Sequence, residues 1–558
     1  LLAYPLLIEP FVSQFWQWIG FAFGIALYLI LCIIALTRSK ALCNGCVAKD
    51  VIEVEPQCDT VENKVITILL WLVLPALSTA ILNATTTHLS TDVSPFPLMW
   101  ALLLAAFLLS YSIGFSKIGE KLLPIWAILA ICSLCYAVSV LNGDDGSKGS
   151  FTANFIAGLA VILFCGNFLH AWLCRIRPAV ISLTKYYLCI SLGGAIGGFL
   201  SGVLPILISD SVIEYPIVLT ATFVMVLFAT ISILRPLCTR AIALIAPQMV
   251  VSKMRIGVIF TISTLAFILA ICANSESKFE EIYQRGRNFY GCWTVARDII
   301  VVKNDMIGSI TSPRYPVTIL QNGNTTHGLE PEFEHFKNTP TAYYGELGGG
   351  LAFSLHPSYS ATNQPLNVGI VGMGVGTQAL YGRAGDTITF YEIDSDVVNI
   401  AKSNFSFIEA SKADVKITIG DARKTLEKEE LNSQPKFDIL IIDAYSGDSV
   451  PFHLITKQAF DLYFSRLKED GILALHISNW HIDLFPICKA VSKSYNINAT
   501  GVLSPGAIFT WRSSWVFMSK QQLITPRAVQ IVDWEDVKDM PLPNDEIGSL
   551  LPYIRFRH

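Results

Sequence analysis

PLNVGIVGMGVGTQALYGRAGDTITFYEID, Pro365 to Asp394, is the stretch that sets the fold of the C-terminal half. Val368 to Val371 is a short apolar run of the kind that makes a buried parallel strand. Gly372, Gly374 and Gly376 follow at once, then a stretch of helical composition, then a second strand over Thr387–Tyr391. That strand ends on Glu392, sixteen residues beyond Gly376. Strand, glycine turn, helix, strand and terminal acid together describe a Rossmann-type nucleoside site. The glycines let the backbone turn tightly against a ligand, and the acid accepts both ribose hydroxyls.

The alternation continues downstream. Strands are expected over Asp414–Ile419, Phe437–Ile442 and Gly471–Ile477, with an edge strand over Ser514–Met518. Helices fit Ala422–Glu430, His453–Leu467 and Leu484–Lys493. Glu392, Asp421, Asp443 and Asp448 then fall at the C-terminal ends of consecutive strands, the rim where open parallel sheets bind ligands. Upstream, Trp293–Val302 and Pro316–Gln321 read as short strands with turns at Lys303-Asn304-Asp305 and Asn322-Gly323. They define a small β-rich subdomain, residues 275–340, ahead of a Rossmann domain at 341–558.

Composition divides the chain differently. It is 52% hydrophobic and 15% charged, with mean hydropathy +0.50, far more apolar than an ordinary soluble protein. Residues 1–273 hold 14 Lys+Arg and 12 Asp+Glu; the remainder holds 26 and 32. A membrane half therefore precedes a mildly acidic soluble half. Neither carries the basic excess of a nucleic-acid binder, so no nucleic-acid partner is expected. A spanning helix needs about 20 mostly apolar residues. Eight stretches qualify: Trp16–Leu36, Val65–Thr85, Phe96–Phe115, Leu122–Leu141, Phe151–Cys174, Leu183–Ser209, Tyr215–Leu234 and Ile256–Ala273. The first, third, fifth and seventh connections carry the Lys and Arg; the others hold only Lys148. The positive-inside rule puts the odd connections in the cytoplasm and the soluble half on the opposite side. The expected location is integral and multi-pass, in a bacterial inner membrane or its equivalent. The chain opens on Leu1 inside what reads as the tail of an apolar helix, so further sequence is expected before it.

Ser191-Leu-Gly-Gly-Ala-Ile-Gly-Gly198 invites close helix packing. No stretch carries a central Asp, Glu, Lys or Arg, which argues against ion-coupled transport. Cys43 and Cys46, with Cys58 nearby, have ligand-like spacing. A zinc site, a redox pair and ordinary loop cysteines all remain open there, the last preferred, because a tetrahedral site wants four ligands. His170, His453, His476 and His481 are expected to make structural or ordinary polar contacts.

VGMGVGT, FYEID, GDARKTL, FDILIIDAYSGDSVPFHLIT and GILALHISN, between Phe279 and Ile554, resemble the spermidine synthases, aminopropyltransferases with a class I methyltransferase-like Rossmann core. TTTHLSTDVSPFPLMW, SLGGAIGG and EYP resemble multi-pass proteins that carry such a domain behind a transporter-like membrane region. The resemblance implies decarboxylated S-adenosylmethionine as co-substrate. Gly372, Gly374 and Gly376 would approach it, Glu392 would hold its ribose, and Asp421 with Ala422 its adenine. Asp443 matches the catalytic aspartate, Asp448 the second acid of that loop, and Tyr344 a tyrosine that contacts the amine. The attacking amine must be neutral, and a carboxylate can orient it and take its proton. The electrophile already bears a sulfonium charge, so the chemistry calls for no metal. Two positions depart from the pattern. Val375 stands where the family carries an aspartate for the donor's terminal amine. The glutamine expected after the turn is replaced by the run to His327.

Three readings follow. The chain is a membrane-anchored aminopropyltransferase, a catalytically inert accessory subunit of a membrane complex, or a transporter with a nucleoside-sensing domain. The partners implied are the bilayer, a small amine or nucleoside, and, for the second reading, other subunits.

Overall fold

A computed structural model of the chain describes residues 4, 8–45, 61–93, 98–142, 149–245, 253–272, 279–301, 313–323, 325–360, 364–444, 451–479, 481–546 and 549–555. Asp448, Cys46, Cys58 and the turn at 303–305 lie outside the described residues.

Each of the eight apolar stretches contains or coincides with helix. The helices are Gln14–Gly45, Val61–His88, Met99–Gly114, Leu123–Leu141, Gly149–Arg175, Leu183–Gly198 (continued by Phe199–Val203 and Leu204–Ile208), Glu214–Ile245 and Lys253–Cys272. Among the described residues, five helices are long and apolar enough to cross a membrane. Met99–Gly114 has 16 residues, about 24 Å at 1.5 Å per residue, short of the roughly 30 Å hydrocarbon layer. The outward faces are apolar: Trp18, Phe21, Leu188, Leu192 and Leu207 all stand exposed. The small-residue run does what its composition suggests. A Cβ on Gly193 would lie 2.3 Å from the Leu72 carbonyl oxygen, and one on Gly197 2.1 Å from that of Ala76. Only glycine lets these two helices come so close.

The C-terminal half rests on one end of this bundle. Arg287 reaches into it and pairs with Glu214, at 3.0 and 2.7 Å, while also donating to the Ser211 carbonyl at 3.0 Å. Both side chains are buried, 6% and 2% exposed. Phe151 meets His481 with ring centroids 5.3 Å apart. Gly323 lies against the Thr91 carbonyl, where a Cβ would approach to 1.8 Å. Thr91, Phe151 and Glu214 belong to the ends of connections that hold only Lys148, not to the Lys- and Arg-rich ones.

Four antiparallel strands, β1 (Glu281–Asn288), β2 (Gly291–Val301), β3 (Arg314–Asn322) and β4 (Thr325–Pro331), form the small sheet. The large sheet has eight: β5 (Asn367–Val371), β6 (Thr387–Glu392), β7 (Asp414–Ile419), β8 (Phe437–Ile442), β9 (Leu467–His476), β10 (Asn498–Ser504), β11 (Ser513–Ser519) and β12 (Gln530–Ile531). Their order is β12-β10-β11-β9-β8-β5-β6-β7. β5 to β9 run parallel, and β11, β10 and β12 are added antiparallel. This is a methyltransferase-like Rossmann fold with a mixed sheet, and the strand order reverses between β5 and β8. That switch point is where such sheets bind ligands.

Three expectations need correction. Ser514–Met518 is not an edge strand: β11 pairs with β9 on one side and β10 on the other. β10 escaped notice because Asn498-Ala-Thr-Gly-Val-Leu-Ser has little β-branched or aromatic character and a central glycine. The stretch after the glycine turn is one 3-10 turn, Thr377–Tyr381, because Gly382 and Gly385 stop it. His453 does not open a helix. It sits in a separate 3-10 turn, and the helix Lys457–Arg466 starts behind Thr456, whose side chain caps the Ala459 N–H.

Candidate active site

β8 is buried along its whole length, and the chain leaves it at Asp443 directly on the switch point. The Asp443 N–H donates to the Val371 carbonyl at 2.8 Å, which pins the aspartate beside the end of β5. Gly372 makes this possible. Its φ is +90°, and a Cβ there would lie 2.0 Å from the Asp443 carbonyl oxygen, so any larger residue collides. Gly374 and Gly376 complete the turn at φ +53° and +82°.

The segment 341–350 brings Tyr344 to the same point. The Thr341 hydroxyl donates to the Leu329 carbonyl at 2.6 Å, tying the segment to β4, and the Ala342 N–H donates to the Phe509 carbonyl at 2.8 Å. The Tyr344 hydroxyl donates to Asp443 Oδ2. On the other side His476, the last residue of β9, meets Asp443 Oδ1 through Nδ1 at 2.7 Å. His476 Nε2 meets Ser478 Oγ at 2.8 Å, and its ring stacks on Trp515 with centroids 4.6 Å apart. Tyr344, Asp443 and His476 are all buried. Burial alone would push the Asp443 carboxyl up. The charge and hydrogen bond of His476, with the Tyr344 hydrogen bond, outweigh it and leave the carboxyl below its ordinary value. Burial, with Asp443 beside it, pushes the Tyr344 phenol well above its ordinary value, so the phenol stays a donor.

This cluster opens into a cavity of about 1050 Å³. Thr325, Thr326 and His327 of β4, Tyr343, Ser478, Asn479 and Arg512 share its wall with Tyr344, Gly374, Asp443 and His476. Asp394 ties the β1–β2 hairpin to the end of β6, accepting from Trp293 Nε1 at 2.8 Å and from Asn288 Nδ2 at 2.8 and 2.9 Å. β4 lies over the glycine turn, where a Cβ on Gly374 would come within 2.7 Å of the His327 carbonyl oxygen. The His327 Nε2 is buried without a hydrogen-bond partner, and burial lowers that imidazole to about 4.

The residues assigned to the nucleoside occupy the other side of the rim. Glu392 closes β6 and is 8% exposed. Its Oε2 accepts from the Met373 N–H at 2.9 Å and its Oε1 from the Asp394 N–H at 3.0 Å. An ionised carboxylate has about four acceptor positions, more than these backbone donors fill. Asp421 caps the helix Ala422–Leu431, accepting from the Lys424 N–H at 3.0 Å, and lies 3.5 Å from His453 Nε2. Thr377 Oγ1 and Gln378 Oε1, just behind the glycine turn, are buried without partners. Val375 is fully buried in an apolar cluster with Trp293, Val295 and Leu320.

So the rim gathers Glu392, Asp421 and Asp443, but among the described residues of the expected site only Gly374, Tyr344 and Asp443 line the cavity; Gly372, Gly376, Glu392, Asp421 and Ala422 do not. Sequence reasoning missed His476 as the partner of Asp443 and Ser478 as the partner of His476. Their signal was position: they lie at and just past the C-terminal end of the strand next to β8. Among the described residues no group of three His, Cys, Asp or Glu is arranged to hold a metal.

Residues 355–523 match the Spermine/spermidine synthase domain. Over 115 residues the chain is 30% identical to a polyamine aminopropyltransferase of Vibrio vulnificus, covering 20% of this chain and 37% of that protein. It is 28% identical over 114 residues to a probable polyamine aminopropyl transferase of Bifidobacterium longum, covering 20% and 23%. A third relative, an N-terminal histidine N-methyltransferase of Emericella nidulans, is 31% identical over 113 residues, covering 20% and 19%. The chain therefore spans well under half the length of these relatives. Among solved structures, spermidine synthase from Thermotoga maritima superposes with TM-score 0.31 at 19% identity, covering 44% of this chain and 74% of that one.

Proposed function

We propose that this chain is a membrane-anchored aminopropyltransferase that moves an aminopropyl group from decarboxylated S-adenosylmethionine to an amine. The observation that carries the reading is Asp443: buried at the switch point, fixed through both oxygens, and open to a cavity large enough for a small acceptor. Gly372, Gly374 and Gly376 bring backbone close to the donor, and Glu392 offers its remaining acceptor capacity to ribose hydroxyls. Asp421 and Ala422 flank the adenine, and the unpartnered Thr377 and Gln378 oxygens suit a polar ligand at this turn. When bound, the donor supplies a methylene activated by its sulfonium. Tyr344 fixes the Asp443 carboxylate, which orients the amine and receives its proton. Full-length protein incubated with the donor and a panel of amines should release methylthioadenosine together with an aminopropylated amine. Absence of both release and methylthioadenosine binding contradicts the reading.

Val375 favours a second reading, an inert accessory subunit. An apolar side chain stands where the donor's terminal ammonium needs a carboxylate, and a missing charge partner of that kind costs about 2–5 kcal/mol. Stoichiometric copurifying subunits with no turnover would favour it. The placement of the soluble half outside the cytoplasm belongs to the same proposal. Its support is that this half rests on the bundle end away from the Lys- and Arg-rich connections. A reporter fused behind His558 tests it.

A further inference from the structure

Asp443 does not end the hydrogen-bonded chain. Its Oδ1 meets His476 Nδ1 at 2.7 Å, and His476 Nε2 meets Ser478 Oγ at 2.8 Å. The Ser478 Oγ also accepts from the backbone N–H of Ser514 at 2.8 Å. Ser478 is half-buried and lines the cavity. An ionised carboxylate only accepts, so Nδ1 carries a proton whatever the charge of the ring. With the ring neutral, Nε2 is the acceptor and the Ser478 hydroxyl proton points to it. With the ring charged, Nε2 donates to Oγ, and the hydroxyl proton turns toward the cavity. The Ser514 N–H occupies one lone pair of Oγ in both states. This wiring is that of a serine hydroxyl backed by histidine and aspartate, here set in the wall of the cavity.

We propose that the acceptor amine loses its proton to Ser478 Oγ as that hydroxyl passes its own proton to His476 Nε2, while Asp443 orients the ring and stabilises the resulting imidazolium. This rests on the transfer reading above and refines it, moving the stored proton from the carboxylate to the imidazole. The balance is simple. The alkylammonium gives up one proton and becomes the neutral nucleophile. Its lone pair forms the C–N bond, the C–S pair stays on sulfur, and His476 gains the one proton lost. Ser478 contacts substrate and is catalytic in this scheme; Asp443 positions the ring. The titratable or charged neighbours are Tyr344 and Tyr343 from the 341–350 segment, His327 from β4, and Arg512 and Arg555 across the cavity.

The test uses full-length protein carrying 15N-histidine, with the His476 signals assigned by their loss in His476→Gln. With the ring neutral, His476 should hold its proton on Nδ1 with Nε2 bare, and Ser478→Ala should shift the Nε2 resonance alone. In transfer assays His476→Gln and Ser478→Ala should each lower kcat about 100-fold with KM unchanged. A proton on Nε2 with Nδ1 bare overturns the proposal, as does a wild-type kcat in His476→Gln. If His476→Gln does not fold, a wild-type kcat in Ser478→Ala overturns it. If no amine is turned over but the Nδ1–H tautomer and the Ser478-dependent shift are found, the transfer reading fails and the relay stands as a property of the cavity.

Discussion

The two sides of the sheet's C-terminal rim are built on different terms. On the β5–β6–β7 side backbone dominates. The glycine turn folds on itself, and the Glu392 carboxylate spends two acceptor positions on main-chain N–H groups. On the β8–β9–β11 side side chains dominate, and Tyr344, Asp443, His476 and Ser478 form a continuous chain of hydrogen bonds along the cavity wall. A backbone-lined site tolerates little besides glycine but asks little of its neighbours. A side-chain network fixes chemistry and fails when one member is lost. The first half is the nucleoside side of the proposed reaction, the second the amine side.

The largest expected effect separates them. Asp443→Asn should lower transfer by about 10²–10⁴-fold while methylthioadenosine binding, measured by calorimetry, stays within about twofold. Equal loss of both would mean the two sides are one site. Gly372→Ala should cost roughly 2 kcal/mol or more of stability, from a positive φ and a Cβ driven into the Asp443 carbonyl. A chemical-denaturation midpoint matching wild type would show that the turn is not constrained as described. Glu392→Gln should weaken methylthioadenosine binding by about 10-fold or more, near 1.4 kcal/mol, because an amide offers one acceptor oxygen where the carboxylate offers two. A further effect, spread over a pH window, concerns His327, lowered by burial to about 4. The unfolded chain takes up this proton near pH 6.5 and the folded protein only near 4, so stability is full above that window. It falls through the window as the pH drops, by at most about 1.4 kcal/mol per pH unit. His327→Phe should flatten this dependence, and an unchanged slope would remove His327 from the account.

Much of the molecule was legible in advance where pattern and physics coincide. Eight apolar runs gave eight helical segments, since length and hydropathy decide such elements. β7 and β8 fall on their expected residues, because Asp414–Ile419 and Phe437–Ile442 are bounded by turn residues and rich in branched side chains. Three kinds of feature were not legible. β10 lacks a propensity signal and exists because β11 and β12 pair with it. The pairing of His476 with Asp443 depends on strand order, which brings β9 beside β8. The use of Asp421 as a helix cap and of Glu392 as a backbone acceptor is a matter of local geometry, and sequence shows only that the acids are there. The Arg287–Glu214 pair, joining residues 73 apart along the chain, is likewise a product of docking.

The central claim is that this rim carries out amine alkylation from a nucleoside sulfonium. Mass spectrometry of full-length protein incubated with decarboxylated S-adenosylmethionine and mixed amines tests it most directly. The account predicts methylthioadenosine and an amine heavier by one aminopropyl group in equal amounts, both abolished by Asp443→Asn. Donor recovered intact in the presence of every amine, with no difference between wild type and Asp443→Asn, would contradict it.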